Sequence, residues 1–122
     1  MNLTFEDKRV LITGASRGIG RATALAFAAA GARVAVHYNQ QREQARAVRE
    51  ALAGEGHLVV QANLADAGAV ERMVTTVLAE FGHLDVLVNN AATNRPHPLA
   101  STDYQSWQAA WQQVIDVNLI GP

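Results

Sequence analysis

A glycine-spaced segment near the start of the chain restricts the fold more than any other feature. Residues 13–20 carry glycines at positions 14, 18 and 20, and they directly follow the apolar run at residues 10–12. The apolar run is predicted to form a buried strand, and the alanine-rich residues 19–30 favour a helix that Gly31 would end. A strand that passes through a glycine turn into a helix begins a β-α-β unit, which indicates an α/β fold.

Apolar runs and helical patterns alternate along the rest of the chain. Three more strands are predicted at residues 34–36, 58–60 and 84–88, and two more helices at residues 41–53 and 66–81. Short apolar runs joined by helices are typical of parallel strands whose two faces are both covered. We therefore predict a Rossmann-type, doubly wound parallel sheet in three αβα layers, truncated after the fourth strand and the helix that follows it.

Charge and composition argue against several kinds of partner. The formal net charge is −1, which does not suit a nucleic-acid partner held mainly by phosphate contacts. The chain has no cysteine and its four histidines show no ligand spacing, so no metal site is predicted. The polar residues 1–8 do not resemble a signal peptide, and no apolar run approaches the ~20 residues that span a bilayer. We therefore expect a cytoplasmic protein with no membrane partner.

The glycine loop is suited to binding phosphate groups. Gly14 allows a tight turn off the strand, Gly18 allows backbone to approach a ligand closely, and Gly20 allows the new helix to pack near the sheet. Free N–H groups in the first turn of that helix, together with its dipole, favour an anionic diphosphate. The loop is therefore predicted to bind a dinucleotide. The alternative is a tight turn whose glycines serve packing only.

Three motifs, in this order, resemble the short-chain dehydrogenase/reductase family. Residues 13–20 match the family's glycine motif, and the Asn-Asn-Ala-Ala at residues 89–92 resembles its Asn-Asn-Ala-Gly motif. The Asp-Val-Asn-Leu at residues 116–119 resembles the helix segment that carries the family's catalytic asparagine. The resemblance implies that residues 1–122 are an incomplete NAD(P)-binding Rossmann domain, the amino-terminal half of a short-chain dehydrogenase/reductase domain.

The resemblance also implies which residues contact the cofactor, in addition to the three glycines. The diphosphate would be lined by Ser16, Arg17 and Ile19, the adenine flanked by Asn63 and Leu64, and the adenosine ribose and nicotinamide side bordered by Asn90, Ala91 and Ala92. Ala92 stands where the family's motif has glycine, and its methyl group would crowd the cofactor without excluding it.

One catalytic residue is implied by the same resemblance. Asn118 would hold a water molecule in the proton relay of the parent enzyme. The alternative for Asn118 is a buried helical asparagine that bonds backbone and fixes packing.

The residues after the second strand bear on which nicotinamide cofactor is bound. NAD-dependent enzymes place an acid near the end of that strand, where it accepts hydrogen bonds from the ribose hydroxyls. This chain has Tyr38 and Asn39 there, and no acid before Glu43. Arg17 can pair with a 2′-phosphate, and Arg42 is a second candidate. We therefore predict NADP(H) in preference to NAD(H), the alternative being that Arg17 is only a solvated loop charge.

The family's proton donor, a tyrosine four residues before a lysine, is missing from these 122 residues. Tyr38 and Tyr104 are followed four positions later by Arg42 and Gln108. Because hydride transfer to a carbonyl needs a general acid within hydrogen-bond reach, we expect the cofactor-binding half of a longer oxidoreductase that acts on a small-molecule carbonyl or alcohol. The alternatives are a non-catalytic dinucleotide-binding module and a split enzyme completed by another chain. Since the fourth strand would be left as an apolar edge, we also expect a homo-oligomer.

Overall fold

The structure is a computed structural model that describes residues 4–90. The predicted last helix lies outside the described residues, and so do Ala91, Ala92 and Asn118. The described elements are β1 (Arg9–Ile12), α1 (Gly18–Ala29), β2 (Arg33–Tyr38), α2 (Arg42–Ala51), β3 (Leu58–Gln61), α3 (Ala67–Phe81) and β4 (Val86–Val88). Strands and helices alternate as predicted.

The four strands form one parallel sheet in the order β3-β2-β1-β4. Consecutive strands β1, β2 and β3 are neighbours on one side of β1, and the chain then crosses to the other side to add β4. This reversal of direction is the mark of a doubly wound sheet, and ligands bind such sheets beyond the carboxyl ends of the strands at the reversal point. The predicted fold class is therefore confirmed.

Helices cover both faces of the sheet. Because alternate strand residues point to opposite faces, each strand contributes side chains to both sides. Leu11 and Ala35 belong to a buried cluster on the α3 side, together with Val60 of β3. On the other face, side chains of β1 and β2 pack with Ala24 and Ala28 of α1 and with residues of α2. These two apolar clusters lie between the sheet and the helices on each side, and they hold the three αβα layers together.

The amphipathic stripe predicted for the third helix is the one that α3 buries. Its buried residues are Val70, Met73, Val74, Val77 and Phe81. The Asp66 side chain accepts a hydrogen bond from the Ala69 N–H at 3.2 Å and caps the start of the helix. Gly82, with φ of 82°, ends it.

β4 begins two residues later than the predicted strand at residues 84–88. Asp85 still pairs with β1, because its N–H donates to the Arg9 carbonyl at 2.9 Å. In return, the Arg9 N–H donates to the Asp85 carboxylate at 2.8 Å. A side-chain oxygen therefore replaces the backbone carbonyl that a regular strand would offer at this point.

We call the two ends of the sheet its carboxyl edge and its amino edge. The carboxyl edge consists of the segments that follow the strands, residues 13–17, 39–41, 62–66 and 89–90. The amino edge consists of the segments that precede the strands, among them His57 before β3 and Asp85 before β4. All cofactor-binding residues predicted within residues 4–90 lie at the carboxyl edge or in the first turn of α1 or the last residue of β2.

Candidate functional site

The glycine loop folds as its sequence predicts. Gly14 has φ of 62° and Gly18 has φ of 61°, in the left-handed region that residues other than glycine rarely adopt. Gly20 has no room for a side chain, since a Cβ there would lie 2.2 Å from the Gly14 carbonyl oxygen and 2.6 Å from Asn90 Nδ2. The loop therefore turns sharply off β1 and brings the start of α1 close to the end of β4.

The start of α1 has no anionic group of its own. Arg17 is the N-cap residue, its side chain makes no capping hydrogen bond, and the first turn contains no acidic residue. In contrast, α3 is capped by the Asp66 carboxylate, and α2 carries Glu43 in its first turn. Because the first N–H groups of a helix have no partner within the helix, the start of α1 is suited to an anionic ligand.

Hydrogen bonds from β4 hold the loop in place. The Thr13 N–H donates to the Val88 carbonyl at 3.0 Å, and the Asn90 N–H donates to the Thr13 hydroxyl oxygen at 2.9 Å. The Asn90 side-chain amide donates to the Gly14 carbonyl at 3.3 Å. The residues of the second family-like motif that the structure describes are thus part of the framework that shapes the loop.

Hydrogen bonds from β2 hold the same loop on its other side. The Ala15 N–H donates to the His37 carbonyl at 3.0 Å, and the Gly14 N–H donates to Nδ1 of the His37 ring at 2.9 Å. Nε2 of that ring lies 2.9 Å from the Ala62 carbonyl oxygen. His37 is 2% exposed, and burial lowers the pKa of its imidazole despite the opposing effect of the hydrogen bond to Ala62.

His37 belongs to the framework of the glycine loop but is not among the predicted site residues, because the spacing of the four histidines indicates no metal site. One signal could have found it: a single polar residue inside the apolar run 34–37, next to the carboxyl end of a strand that borders the glycine loop. Its contacts, in contrast, depend on the packing of β2 between β1 and β3.

The other predicted site residues differ in exposure. Arg17 is exposed and Ser16 is buried. Ile19 is 78% exposed, more than any other large apolar side chain among the described residues. Tyr38 and Leu64 are half-buried at the ends of β2 and β3. The exposed residues Asn39 and Asn63 each support local structure as well: the Asn39 carbonyl accepts from Gln61 Nε2 at 3.1 Å, and Asn63 Oδ1 accepts from the Ala65 N–H at 3.0 Å.

The structure therefore brings together, at one edge, the predicted residues that it describes. That they contact a dinucleotide stays a prediction. Within residues 4–90, no group of three His, Cys, Asp or Glu side chains is placed to hold a metal ion. No helix in this described part of the chain has the length and apolar character needed to cross a membrane.

Comparison with known proteins gives a consistent result. The profile of a family described as short chain dehydrogenase matches residues 8–122. The 3-oxoacyl-(acyl-carrier-protein) reductase FabG of Staphylococcus aureus is 47% identical over 116 residues, which are 93% of this chain and 46% of the relative. The 3-oxoacyl-(acyl-carrier-protein) reductase of Synechocystis is 49% identical over 113 residues, 91% of this chain and 44% of the relative. The chain thus spans less than half the length of these relatives.

Solved structures show the same likeness. A short chain dehydrogenase from Burkholderia cenocepacia, solved in complex with NADP, superposes with a TM-score of 0.77 at 34% identity, over 96% of this chain and 53% of that chain. A dehydrogenase/reductase from Sinorhizobium meliloti superposes with a TM-score of 0.78 at 27% identity, over 97% of this chain and 52% of that chain.

Proposed function

The chain belongs to the short-chain dehydrogenase family, and we propose on that premise that its carboxyl edge binds the diphosphate of a nicotinamide dinucleotide. The observation that carries the proposal is the start of α1, which has neither a side-chain cap nor an acidic residue in its first turn. A diphosphate would accept hydrogen bonds from the N–H groups of Gly18, Ile19 and Gly20 and would interact favourably with the helix dipole.

The shape of the loop also fits a dinucleotide. A Cβ at Gly18 would meet no atom within 4 Å, so this position is open on the side where a ligand would approach. Ser16, Arg17 and Ile19 would line the diphosphate, and the exposed Ile19 side chain would be covered by the bound molecule. Asn63 and Leu64 would flank the adenine, and Asn90 would border the ribose, followed by Ala91 and Ala92 toward the nicotinamide.

We propose NADP(H) as the preferred cofactor. Arg17 and Arg42 are exposed, and Tyr38 and Asn39 at the end of β2, where a 2′-phosphate would sit, carry no charge that would repel it. Arg42 begins α2 shortly after this segment, and Arg17 lies in the glycine loop, whose Ala15 N–H donates to the His37 carbonyl of β2. The structural relative from Burkholderia, solved with NADP, supports this preference. Replacing Arg17 with Ala should weaken NADPH binding much more than NADH binding, and equal losses for the two nucleotides would contradict the preference.

The proposed activity of the whole protein is hydride transfer between the cofactor and a small carbonyl or alcohol, and we propose residues 1–122 as the cofactor-binding part of its domain. When bound, the nicotinamide would supply or accept the hydride. Asn118 would hold a water molecule for the proton relay. Two relatives named as 3-oxoacyl-(acyl-carrier-protein) reductases support a carbonyl substrate. We also propose a homo-oligomer, since β4 is an edge strand among the described residues.

A second candidate is a module that binds the dinucleotide without performing catalysis. Both candidates require the same binding site, and they differ in whether a carbonyl substrate is reduced.

Calorimetric titration with NADPH and NADH tests the proposed binding, and Arg17→Asp is the decisive variant. Arg17 has the extended backbone of an N-cap, with φ of −160° and ψ of 171°, so an aspartate there can accept a hydrogen bond from the first turn. The helix should be as stable or more stable, while NADH binding should fall at least about tenfold because the carboxylate takes the place of the diphosphate. NADH has no 2′-phosphate, so this loss does not arise from the contact proposed for Arg17 with that group. Arg46→Asp, the same charge change at an exposed position of α2, should leave binding within about twofold. Absence of heat with both nucleotides would refute the proposal.

A further inference from the structure

His37 makes two hydrogen bonds that together fix its protonation state. Its Nδ1 lies 2.9 Å from the Gly14 nitrogen, and a backbone N–H can only donate. Nδ1 must therefore carry a lone pair and no proton. Nε2 lies 2.9 Å from the Ala62 carbonyl oxygen, which can only accept, so Nε2 carries the proton and donates it. A single neutral tautomer satisfies both contacts.

The imidazole joins the two parts of the carboxyl edge proposed for the diphosphate and the adenine. Gly14 opens the glycine loop, and Ala62 directly precedes Asn63. The backbone carbonyl of His37 also accepts a hydrogen bond from the Ala15 N–H at 3.0 Å. Two consecutive amides of the loop, those of Gly14 and Ala15, are therefore bonded to His37. The left-handed turn at Gly14, with φ of 62°, aims its N–H at the ring.

Protonation of this ring would remove the hydrogen bond that it accepts from the glycine loop. A second proton on Nδ1 would point at the Gly14 N–H, so that two donors would face each other in a buried place. The Gly14 amide is half-buried and would lose its acceptor, and a donor shielded from water without a partner is unfavourable. The loop could then recover only by moving away from the ring.

We propose that His37 is a positioning residue for dinucleotide binding: in its neutral form it holds the Gly14 amide and thereby the shape of the glycine loop, and its protonation weakens binding of the diphosphate. This inference rests on the proposed function, because it assigns the ring a role in the same site. His37 acts through the loop and is not a catalytic residue.

The surroundings favour the neutral form at ordinary pH. Burial is the main cause that lowers the pKa of His37 below the usual 6.5, and the hydrogen bond to Ala62 only partly opposes it. The elements around the ring carry several charged groups. On the α3 side these are Asp66, Glu71, Arg72 and Glu80, and Arg17 follows β1. Arg9 and Arg33 are the first residues of β1 and β2, and Asp85 precedes β4. Both ring nitrogens bond to backbone groups. Binding is therefore lost as the pH falls through the lowered pKa, and it is complete above it.

Three variants separate positioning from a merely structural role. His37→Asn keeps an acceptor near the Nδ1 position but cannot take up a proton, and His37→Leu removes the acceptor. His57→Asn is the matched control, since His57 makes the same kind of contacts at the amino edge, from the Val34 N–H to Nδ1 at 3.1 Å and from Nε2 to the Ala53 carbonyl at 2.7 Å.

The test is the affinity of the chain and its variants for NADP⁺ from about pH 5 to pH 8, where histidines titrate. The oxidised nucleotide is used because the reduced form decomposes in acid. Since its 2′-phosphate also titrates in this range, the quantity compared is the difference in pH dependence between the wild-type chain and each variant. Thermal unfolding measured at each pH identifies conditions in which a variant is not folded.

The wild-type chain and His57→Asn should lose affinity in acid by up to about tenfold per pH unit beyond the loss seen with His37→Asn. At pH 8, His37→Asn should bind within about threefold of the wild-type chain, and His37→Leu should bind about tenfold or more weakly because the Gly14 N–H is left without an acceptor.

Two results would overturn the inference. One is a His37→Asn variant with the same acid dependence as the wild-type chain, and the other is a folded His37→Leu variant with wild-type affinity at pH 8. In both cases the wild-type chain binds NADP⁺ and the proposed function survives. Absence of NADP⁺ binding by the folded wild-type chain at every pH would instead refute the proposed function, and the inference with it.

Discussion

His37 and His57 occupy opposite ends of the same sheet and use similar contacts in different ways. Each ring accepts a backbone N–H through Nδ1 and lies within hydrogen-bond distance of a backbone carbonyl through Nε2. His57 joins the start of β2 to the residues after α2 and is partly exposed, whereas His37 is buried and joins the glycine loop to the end of β3. The two imidazoles make similar hydrogen bonds, so the different roles that we propose for them follow from where each ring lies in the sheet.

The same contrast extends to the two edges as a whole. At the amino edge, the Asp85 carboxylate accepts the Arg9 N–H at 2.8 Å and lies 2.9 Å from Nε2 of His83. The negative charge of Asp85 therefore has partners within the chain. At the carboxyl edge, the start of α1 has no such anionic partner within the described residues. The carboxylate at the start of β4 therefore has partners within the chain, whereas the anion proposed for the start of α1 would come from a ligand.

The largest expected effect comes from filling the space at Gly20. Gly20→Ala should lower the free energy of unfolding by about 2 kcal/mol or more, because the new Cβ would lie 2.2 Å from the Gly14 carbonyl oxygen and displace the loop. Binding of NADPH should be lost with it. Urea unfolding and calorimetric titration measure the two effects.

Gly68→Ala is the matched control for Gly20, since Gly68 also lies in the first turn of a helix. The nearest atoms to a Cβ there belong to the flexible Arg72 side chain and to the Asp66 carboxylate, both at 3.3 Å. The change should alter stability by less than about 1 kcal/mol, in the stabilising direction. Equal losses at the two glycines would contradict a special close approach at the carboxyl edge.

The pH dependence of stability should reveal the burial of His37. The pKa of His37 is lowered in the folded chain, so the unfolded chain binds a proton first as the pH falls below 6.5. Stability is therefore complete above pH 6.5 and is lost below it, by up to about 1.4 kcal/mol per pH unit, until the pH reaches the folded pKa. Urea unfolding between pH 8 and about pH 5 should show this slope in the wild-type chain and a smaller slope in His37→Asn. Parallel slopes in the two would contradict the assignment.

Removing a cap at the carboxyl edge should have a moderate effect. Asp66→Ala should lower the free energy of unfolding by about 1 kcal/mol, because the Ala69 N–H loses its acceptor at the start of α3. NADPH affinity should change little, since α3 covers the sheet face rather than the glycine loop. A tenfold loss of affinity in a folded variant would show that the α3 end belongs to the site.

The smallest effect is expected at the amino edge. Asp85→Asn keeps an oxygen that accepts the Arg9 N–H, so it removes only the charge beside His83. The free energy of unfolding should fall by less than about 1 kcal/mol, because His83 and Asp85 are both partly exposed. NADPH affinity should be unchanged in titration calorimetry. Any clear loss of affinity would contradict the proposal that only the carboxyl edge binds the nucleotide.

The sequence predicted every described strand and helix, because each apolar run is bounded by glycine, polar turns or a capping residue such as Asp66. It also predicted the crowding at Gly20, since a glycine in the first turn after a strand has a known packing role. The start of β4 was predicted two residues too early. A carboxylate that takes over a backbone hydrogen bond cannot be recognised from apolar patterning.

The role of His37 could not be predicted from local sequence. Its ring bonds to residues 23 and 25 positions away, and those contacts exist only because β2 lies between β1 and β3 in the sheet. Strand order is fixed by packing across the whole domain rather than by any one segment. The preference for NADP(H), the contacts of the site residues and the role of Asn118 stay predictions.

The most direct test of the central claim is a titration of the ¹⁵N-labelled chain with NADP⁺, followed through its backbone amide resonances. If the start of α1 binds the diphosphate, the largest shifts will occur at Gly18, Ile19 and Gly20. The amide resonances of Arg9 and Val34, near the starts of β1 and β2, and of Asp85 at the amino edge should not shift. Shifts of equal size at both edges, or none at Gly18 to Gly20 in a folded chain, would contradict it.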